Sequence, residues 1–258
     1  MLAVILAAGR GTRLLPLTRH RSKAMMPVAG QPMVARVMEI LSKGGAKSFI
    51  VVAHPSDHGL PAYLARSHWG GKCQIVDQEQ RLGMVHALEC AAPLVRETGP
   101  AEFLLASCDN LYPPGHVSRL VAHHRRRNLD VALTLLWTSR DKATASAVVV
   151  VQDSLVVDII EKPKPRQIPL YGTRDDALTA PSLYALCSDV LDYLDEVDPS
   201  PRGEREIPGL LRRVIAHGGR VGGQTVSRRR TLTRPQDLLA LNRHMLRADP
   251  TGATADAR

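Results

Sequence analysis

A glycine-rich turn with two arginines, Gly9-Arg10-Gly11-Thr12-Arg13, directly follows the apolar run at residues 1–6. These residue types at this spacing suit phosphate binding. A glycine loop at the C-terminal end of a strand can aim backbone N–H groups at phosphate oxygens. The Arg13 guanidinium offers a planar fork to the same oxygens. Position 14 is Leu, so the turn is not a G-x-G-x-x-G dinucleotide pattern, and no Gly-Lys-Ser/Thr follows to make it a P-loop. By itself the turn is a weak signal, because glycine turns often do no more than join a strand to a helix. No convincing Ser/His/Asp or Cys/His set points to nucleophilic catalysis. The cysteines Cys73, Cys90, Cys108 and Cys187 lack Cys-x-x-Cys spacing, and read as small buried residues in a reducing compartment.

The elements that must position the turn alternate along the chain. Residues 1–6 read as a buried parallel strand. Apolar residues recur at helical spacing over 33–41, and Gly44-Gly45 ends the segment. Strands are expected over 48–53, 73–76, 103–106 and 131–137, with helices over 60–67, 84–95 and 117–127. Such alternation indicates βαβ units and a parallel sheet covered on both faces. After Thr144 the pattern changes, and apolar runs at 147–151 and 155–160 flank Gln152-Asp153-Ser154, a hairpin signature. Helices over 190–194 and 206–217 and a strand over 221–226 follow. Pro235 suits the first position of a last helix reaching 246. The expected fold is α/β: a Rossmann-like, mixed, mostly parallel sheet with helices on both faces in three α/β/α layers. It would occupy one domain over 1–247, with the small polar residues 248–258 a disordered tail.

Composition narrows the partners. The formal charge of +9 raises the question of nucleic acid, but arginines are dispersed, with short clusters only at 125–127 and 228–230, and aromatics make up 3%. No stacking platform for single strands is visible, so the basic excess suits polyanionic small substrates. Hydrophobic residues at 44% and charged residues at 23% are ordinary for a chain with a real core. No apolar run approaches the roughly 18 residues that span a bilayer, and the opening run lacks the basic flank and cleavage pattern of a signal peptide. The expectation is a cytoplasmic protein that binds neither nucleic acid nor membrane.

The run from Leu6 to Thr18, Leu-Ala-Ala-Gly-Arg-Gly-Thr-Arg-Leu-Leu-Pro-Leu-Thr, is followed by Lys23 and then Pro27-Val28. Together these closely resemble the signature of the sugar-phosphate nucleotidylyltransferases, the family of glucose-1-phosphate thymidylyl- and uridylyltransferases. Further matches come in the expected order. Gln78 precedes Gly83 by five residues, like the family's base-recognising glutamine and glycine. Leu104-Leu105-Ala106-Ser107-Cys108-Asp109-Asn110 resembles the strand that ends in a metal-binding aspartate. Glu161-Lys162-Pro163 resembles the element whose lysine meets the acceptor phosphate and whose glutamate meets the sugar. Gly203-Glu204 and Thr233-Arg234-Pro235-Gln236-Asp237-Leu238 resemble the closing segments. The resemblance covers roughly 1–245 and is most specific at the N-terminus.

The resemblance implies an enzyme that moves a nucleotidyl group from a nucleoside triphosphate to a sugar-like 1-phosphate, giving an NDP-sugar and pyrophosphate. It implies that Leu6, Ala8, Gly9, Gly11, Thr12 and Arg13 surround the triphosphate and that Gln78 and Gly83 meet the base. Lys23 and Lys162 would bridge the α-phosphate and the attacking phosphate. Glu161, Lys162 and Ala147 would line the acceptor pocket. Asp109 would hold Mg²⁺, and the enzyme would be a homo-oligomer. The chemistry of the residues agrees. A phosphate monoester is mostly dianionic at neutral pH and needs no general base. What it needs is charge neutralisation and in-line alignment. Gln78 carries one amide donor and one carbonyl acceptor, which match the carbonyl beside an N–H on uracil or thymine, so UTP or dTTP is the favoured donor.

The chain departs from the family pattern in three places. Thr231 stands where members often carry a second metal-binding aspartate. Ser146-Ala147 replaces a Tyr-Gly in the acceptor pocket, and Ser182 replaces a glycine ahead of Tyr184. These changes put metal affinity and an ordinary hexose acceptor in doubt. Two alternatives stay open: a non-sugar acceptor such as phosphocholine or a phosphorylated cyclitol, and a catalytically silent nucleotide-sugar-binding regulator. The intact Arg13, Lys23, Asp109 and Lys162 oppose the silent reading. His86 reads as a packed or surface residue, and Met25-Met26 as core.

Overall fold

The computed structural model describes residues 1–168 and 176–248. Strand β1 (Leu2–Leu6) leads through the glycine turn to a small ladder of β2 (Pro27–Val28) with β3 (Gln31–Pro32), and then to helix α1 (Met33–Lys43). Three strand–helix units follow: β4 (Ser48–Ala53) with α2 (Gly59–Arg66), β5 (Cys73–Asp77) with α3 (Met84–Thr98), and β6 (Glu102–Ser107) with α4 (His116–Arg127). The short β7 (Asn110–Leu111) lies between β6 and α4. Next come β8 (Val131–Ser139), the one-turn α5 (Arg140–Ala143), β9 (Ala147–Gln152), β10 (Leu155–Glu161), β11 (Asp176–Thr179) and β12 (Leu183–Cys187). Where a helix was expected over 190–194, Ser188–Glu196 is a 3₁₀ run. Helix α6 (Ile207–Ala216), β13 (Val221–Thr225), β14 (Arg230–Thr231) and α7 (Pro235–Ala248) complete the described chain. From residue 249 on, the expected disordered tail lies outside the described residues.

One sheet runs in the order β10-β9-β11-β8-β12-β6-β1-β4-β5, with β13 paired to β8. β1 is parallel to β4 and β6, and β4 to β5, because each helical crossover returns the chain to the same end. The Rossmann-like mixed sheet is as expected. Its antiparallel share extends past the β9–β10 hairpin, since β11 and β12 also run antiparallel to their neighbours. Neither of these strands shows alternation in sequence, because both faces are covered. The hairpin turns on Asp153 and Ser154, whose φ values of 49° and 65° match the two left-handed positions of a tight hairpin turn.

Successive residues of a strand face opposite sides, and two apolar layers result. Ala3, Ile5, Phe49, Val51 and Leu104 pack with residues of α1, α2 and α4. Leu2, Val4, Ile50, Val52 and Phe103 pack with residues of α3 and α6. Helices therefore cover both faces. Of the cysteines, all of them free, only Cys108 is fully buried, whereas the sequence suggested burial for all four. No helix among the described residues is long and apolar enough to cross a membrane.

One buried polar residue ties this core to pH. His116 is fully buried at the start of α4, stacked on Tyr112 with ring centroids 5.4 Å apart, and its Nε2 lies 2.9 Å from Thr134 Oγ1. Burial, assisted by the charge of Arg119, lowers its pKa from 6.5 to about 4. Between those values the unfolded chain binds more protons than the folded one, so folding weakens as the pH falls through that window. Stability is expected to be fully present above about pH 6.5 and to decline progressively toward about pH 4. Urea unfolding measured across that range should show the slope in the wild type and a flatter one in His116→Gln. An identical slope in both proteins would assign the acid sensitivity to other groups.

Candidate active site

The C-terminal ends of β1, β4, β5 and β6 lie along one edge of the sheet. Their register pairs Leu6 with Val52 and with Ser107, and Ala53 with Asp77. β4 and β6 flank β1 on opposite sides, so the strand order reverses here, where open α/β sheets form ligand crevices. A cleft of about 980 Å³ opens at this edge. All thirteen residues assigned to the site from sequence line it, from Leu6 in β1 to Lys162 after β10.

The glycine turn forms the first wall. Gly11 is left-handed, with φ 64°, and Thr18 Oγ1 donates to its carbonyl at 2.8 Å. A Cβ at Gly11 would approach the Thr18 methyl to 3.1 Å, so this close fold-back favours glycine. Arg81, which the sequence did not single out, donates from Nε to the Ala8 carbonyl at 2.7 Å and fixes the turn from the far side.

The second wall follows β5. The buried Gln78 donates from Nε2 to the Gly83 carbonyl at 3.1 Å, and the same nitrogen lies 3.0 Å from His86 Nδ1. With His86 accepting at Nδ1, the protein uses both amide hydrogens, and Gln78 Oε1 is left for a ligand. This narrows the expectation that Gln78 offers a base both a donor and an acceptor. His86, read from sequence as a packed or surface residue, orients the amide. Gly83 has φ 107°, and a Cβ there would meet the Arg205 carbonyl oxygen at 2.3 Å, so the chain can pass Arg205 only as glycine.

The centre of the cleft is an ion pair. Lys23 opens a 3₁₀ turn capped by Ser22, and its Nζ lies 2.5 Å from Asp109 Oδ2. Asp109 Oδ1 accepts from Ser107 Oγ at 2.6 Å and from Asn110 Nδ2 at 2.8 Å. Burial works to raise the Asp109 pKa, but the Lys23 ammonium, the Ser107 hydroxyl and the Arg229 charge outweigh it and hold the carboxyl below its ordinary value. Arg229 Nη1 donates to Asn110 Oδ1 at 2.9 Å. β14 pairs antiparallel with β7 and sets Thr231 opposite Asn110, while Leu232 N–H donates to the Asp109 carbonyl at 2.9 Å. Thr231, where the family resemblance implies a second carboxylate, thus lies across this ladder from Asn110, the residue after Asp109. Among the described residues no group of three or more His, Cys, Asp or Glu could hold a metal. This donor set suits a Mg²⁺ ion that draws most of its ligands from substrate oxygens.

The last wall follows β10. Glu161 pairs with Ala147 across the hairpin, and Lys162 N–H donates to the Ser146 carbonyl at 3.0 Å. Lys162 is left-handed, with φ 44°, an uncommon conformation for a residue with a side chain. Its Nζ lies 3.6 Å from Glu161 Oε1. Arg202 reaches Glu161 at 3.5 Å and also pairs with Glu206. Burial and then the Glu206 charge raise the Glu161 pKa against the pull of Lys162 and Arg202. Sequence reading passed over Arg202 and Glu206, although their place around Gly203-Glu204 could have flagged them. Arg229 stood out in the sequence only as a member of the 228–230 arginine cluster.

A family model described as nucleotidyl transferase matches residues 2–228. The UTP–glucose-1-phosphate uridylyltransferase AglF of Haloferax volcanii is 29% identical over 219 residues, covering 84% of this chain and 85% of its own. The bifunctional protein GlmU of Methanococcus maripaludis is 27% identical over 244 residues, covering 95% of this chain and 54% of its own. This chain thus spans about half the length of such bifunctional relatives. Among solved structures, a UDP-glucose pyrophosphorylase complexed with UDP-glucose matches with a TM-score of 0.82 at 19% identity, over 96% of this chain and 98% of that one. A UTP-bound UGPase from Acinetobacter baumannii matches with a TM-score of 0.81 at 19% identity, over 98% and 95%. The structural likenesses establish the shared fold, and the match along most of its length establishes that the chain belongs to the nucleotidyl transferase family.

Proposed function

We propose that the chain transfers a nucleotidyl group from UTP or dTTP to the phosphate of a sugar or sugar-like 1-phosphate, forming an NDP-sugar and releasing pyrophosphate. One observation carries this reading. A single cleft has a glycine loop and a glutamine-lined pocket at one end and Glu161-Lys162 at the other, and the two ends meet at the Lys23–Asp109 pair. A relative named for UTP and glucose 1-phosphate, and neighbours holding UDP-glucose or UTP, support it.

The dianionic acceptor phosphate attacks the α-phosphorus without losing a proton. A new P–O bond forms while the bond from the α-phosphorus to the bridging oxygen breaks, and pyrophosphate leaves with that electron pair. The protein supplies alignment and charge compensation. The turn at residues 9–12 and Arg13 grip the outer phosphates. Lys23 leaves Asp109 for the α-phosphate as the triphosphate enters, and Lys162 steers the attacking phosphate while Glu161 meets the acceptor's hydroxyls. Asp109, relieved of Lys23, would hold Mg²⁺ together with substrate oxygens, and the ion would neutralise phosphate charge there. Ser146, Ala147 and Ser182 at the acceptor end favour a second reading of the acceptor alone, as a phosphorylated cyclitol or phosphocholine.

Pyrophosphate release should be assayed with UTP, dTTP, CTP and GTP, each crossed with phosphorylated sugars, cyclitols and choline. Gln78 Oε1 can accept from the N3–H of uracil or thymine but faces a lone pair on cytosine N3. Leaving such buried groups unpaired costs about 1–3 kcal/mol, so UTP or dTTP should lead CTP by roughly tenfold or more. GTP would need a wider pocket. CTP or GTP ahead of both diketo pyrimidines would reject the role of Gln78, and no release from any combination would reject transfer.

A preorganised charge in the reaction centre is worth roughly 3–4 kcal/mol. Lys23→Ala and Lys162→Ala should therefore each lower turnover by about 10²–10³-fold with unchanged far-ultraviolet circular dichroism. Either variant, folded and turning over like the wild type, would sink the mechanism.

A further inference from the structure

The segment carrying β14 brings an unassigned cation into the cleft. Residues 229, 231 and 233 line it and their neighbours Arg230 and Leu232 do not, as strand alternation requires. Arg229 is anchored by its hydrogen bond to Asn110 Oδ1, which turns Asn110 Nδ2 toward Asp109 Oδ1 and Ser107 Oγ. A guanidinium carries five N–H donors. Its Nη1 bond to Asn110 Oδ1 uses one of these donors, Arg229 lines the cleft, and its charge acts on Asp109. Two residues on, Thr231 contributes a hydroxyl whose described partner is Thr233 Oγ1 at 3.0 Å. The segment opposite Asn110 thus brings a neutral hydroxyl and a positive charge that acts on Asp109.

We propose that Arg229 is a catalytic residue whose guanidinium binds the non-bridging oxygens of the α-phosphate during transfer. The inference rests on the transfer reading above. The outer phosphates have the glycine loop and Arg13, and the acceptor phosphate has Lys162. Arg229 stands with Asp109 and Lys23 where the two halves of the cleft meet, so it faces the phosphorus in transit. A planar fork can hold two oxygens of that group at once, which an ammonium cannot. Charge on those oxygens grows as the new bond forms, so the contact strengthens toward the transition state and acts on turnover more than on substrate affinity. A carboxylate–metal arrangement would bring cation and ligand together, whereas Arg229 supplies the cation already built in.

The test compares Arg229→Gln, Arg229→Lys and Arg229→Ala with the wild type. Arg229→Gln should lower kcat about 100-fold with KM for either substrate nearly unchanged, and Arg229→Lys should recover only part of the loss. Added guanidinium ion should restore turnover to Arg229→Ala and not to Lys23→Ala. An active wild type with an equally active Arg229→Gln would overturn the inference and leave the transfer reading standing. Lost turnover that guanidinium does not rescue, with lowered thermal stability, would make Arg229 structural and also overturn it. A second readout needs no turnover: the ³¹P resonance of the α-phosphate of bound UTP should move between wild type and Arg229→Gln while the γ resonance stays. That shift in a protein releasing no pyrophosphate would keep the contact and discard the transfer reading. An unmoved α resonance, or no binding of UTP at all, would overturn the contact.

Discussion

At the centre of this cleft an ammonium and a carboxylate lie 2.5 Å apart, and the elements around them set that contact. The Lys23 and Asp109 side chains are each no more than about a quarter exposed, at 16% and 24%, so their attraction is only partly screened by water. The pair satisfies both charges in the free protein. Asp109 is also held in place at Oδ1 by Ser107 and Asn110. In the proposed transfer, a triphosphate would compete for the lysine and leave an aspartate already fixed in position.

That pair exists because two parallel strands end in register. β1 and β6 pair Leu6 with Ser107, so the loop leading to Lys23 and the turn bearing Asp109 leave the sheet side by side. Cys108 N–H donates to the Leu6 carbonyl at 3.0 Å and extends the ladder beyond β6 into the turn. The antiparallel β12 then carries Ser182 to the same edge, where its carbonyl accepts from Ser107 N–H at 3.0 Å. The acceptor side is joined in turn, since Ala180 N–H donates to the Ala147 carbonyl at 2.9 Å. Backbone hydrogen bonds therefore link the end of β1, through β6 and the start of β12, to Lys162, which makes the spacing between the two ends a property of the sheet.

The basic excess of the chain has a local counterpart. Six cationic side chains and four carboxylates line the cleft. Several of these carboxylates are tied up, Asp109 with Lys23, and Glu161 and Glu206 with Arg202. The field left over favours anions, and low-dielectric walls concentrate it. A phosphate ester fits such a site better than a nucleic acid does, because the cations converge on one hollow instead of lying along a face.

The sequence by itself determined the parts that are contiguous along the chain. The run from Leu6 to Thr18, the Gln78–Gly83 spacing, the strand ending at Asp109 and the Glu161-Lys162-Pro163 element are short-range patterns, and period and glycine placement made them legible. So were the alternating strands and helices of the first half, since each helical face must cover the strands beside it. The tertiary structure alone decided what depends on residues far apart. β11 and β12 escaped notice because strands covered on both faces lack alternation. The Gln78 amide is turned by His86, a choice no spacing reveals. Arg202 joins Glu161 and Glu206, and Arg229 reaches Asn110 across 119 positions. Charge pairing of this kind is set by which backbone segments the sheet brings into register, and local sequence carries no record of that.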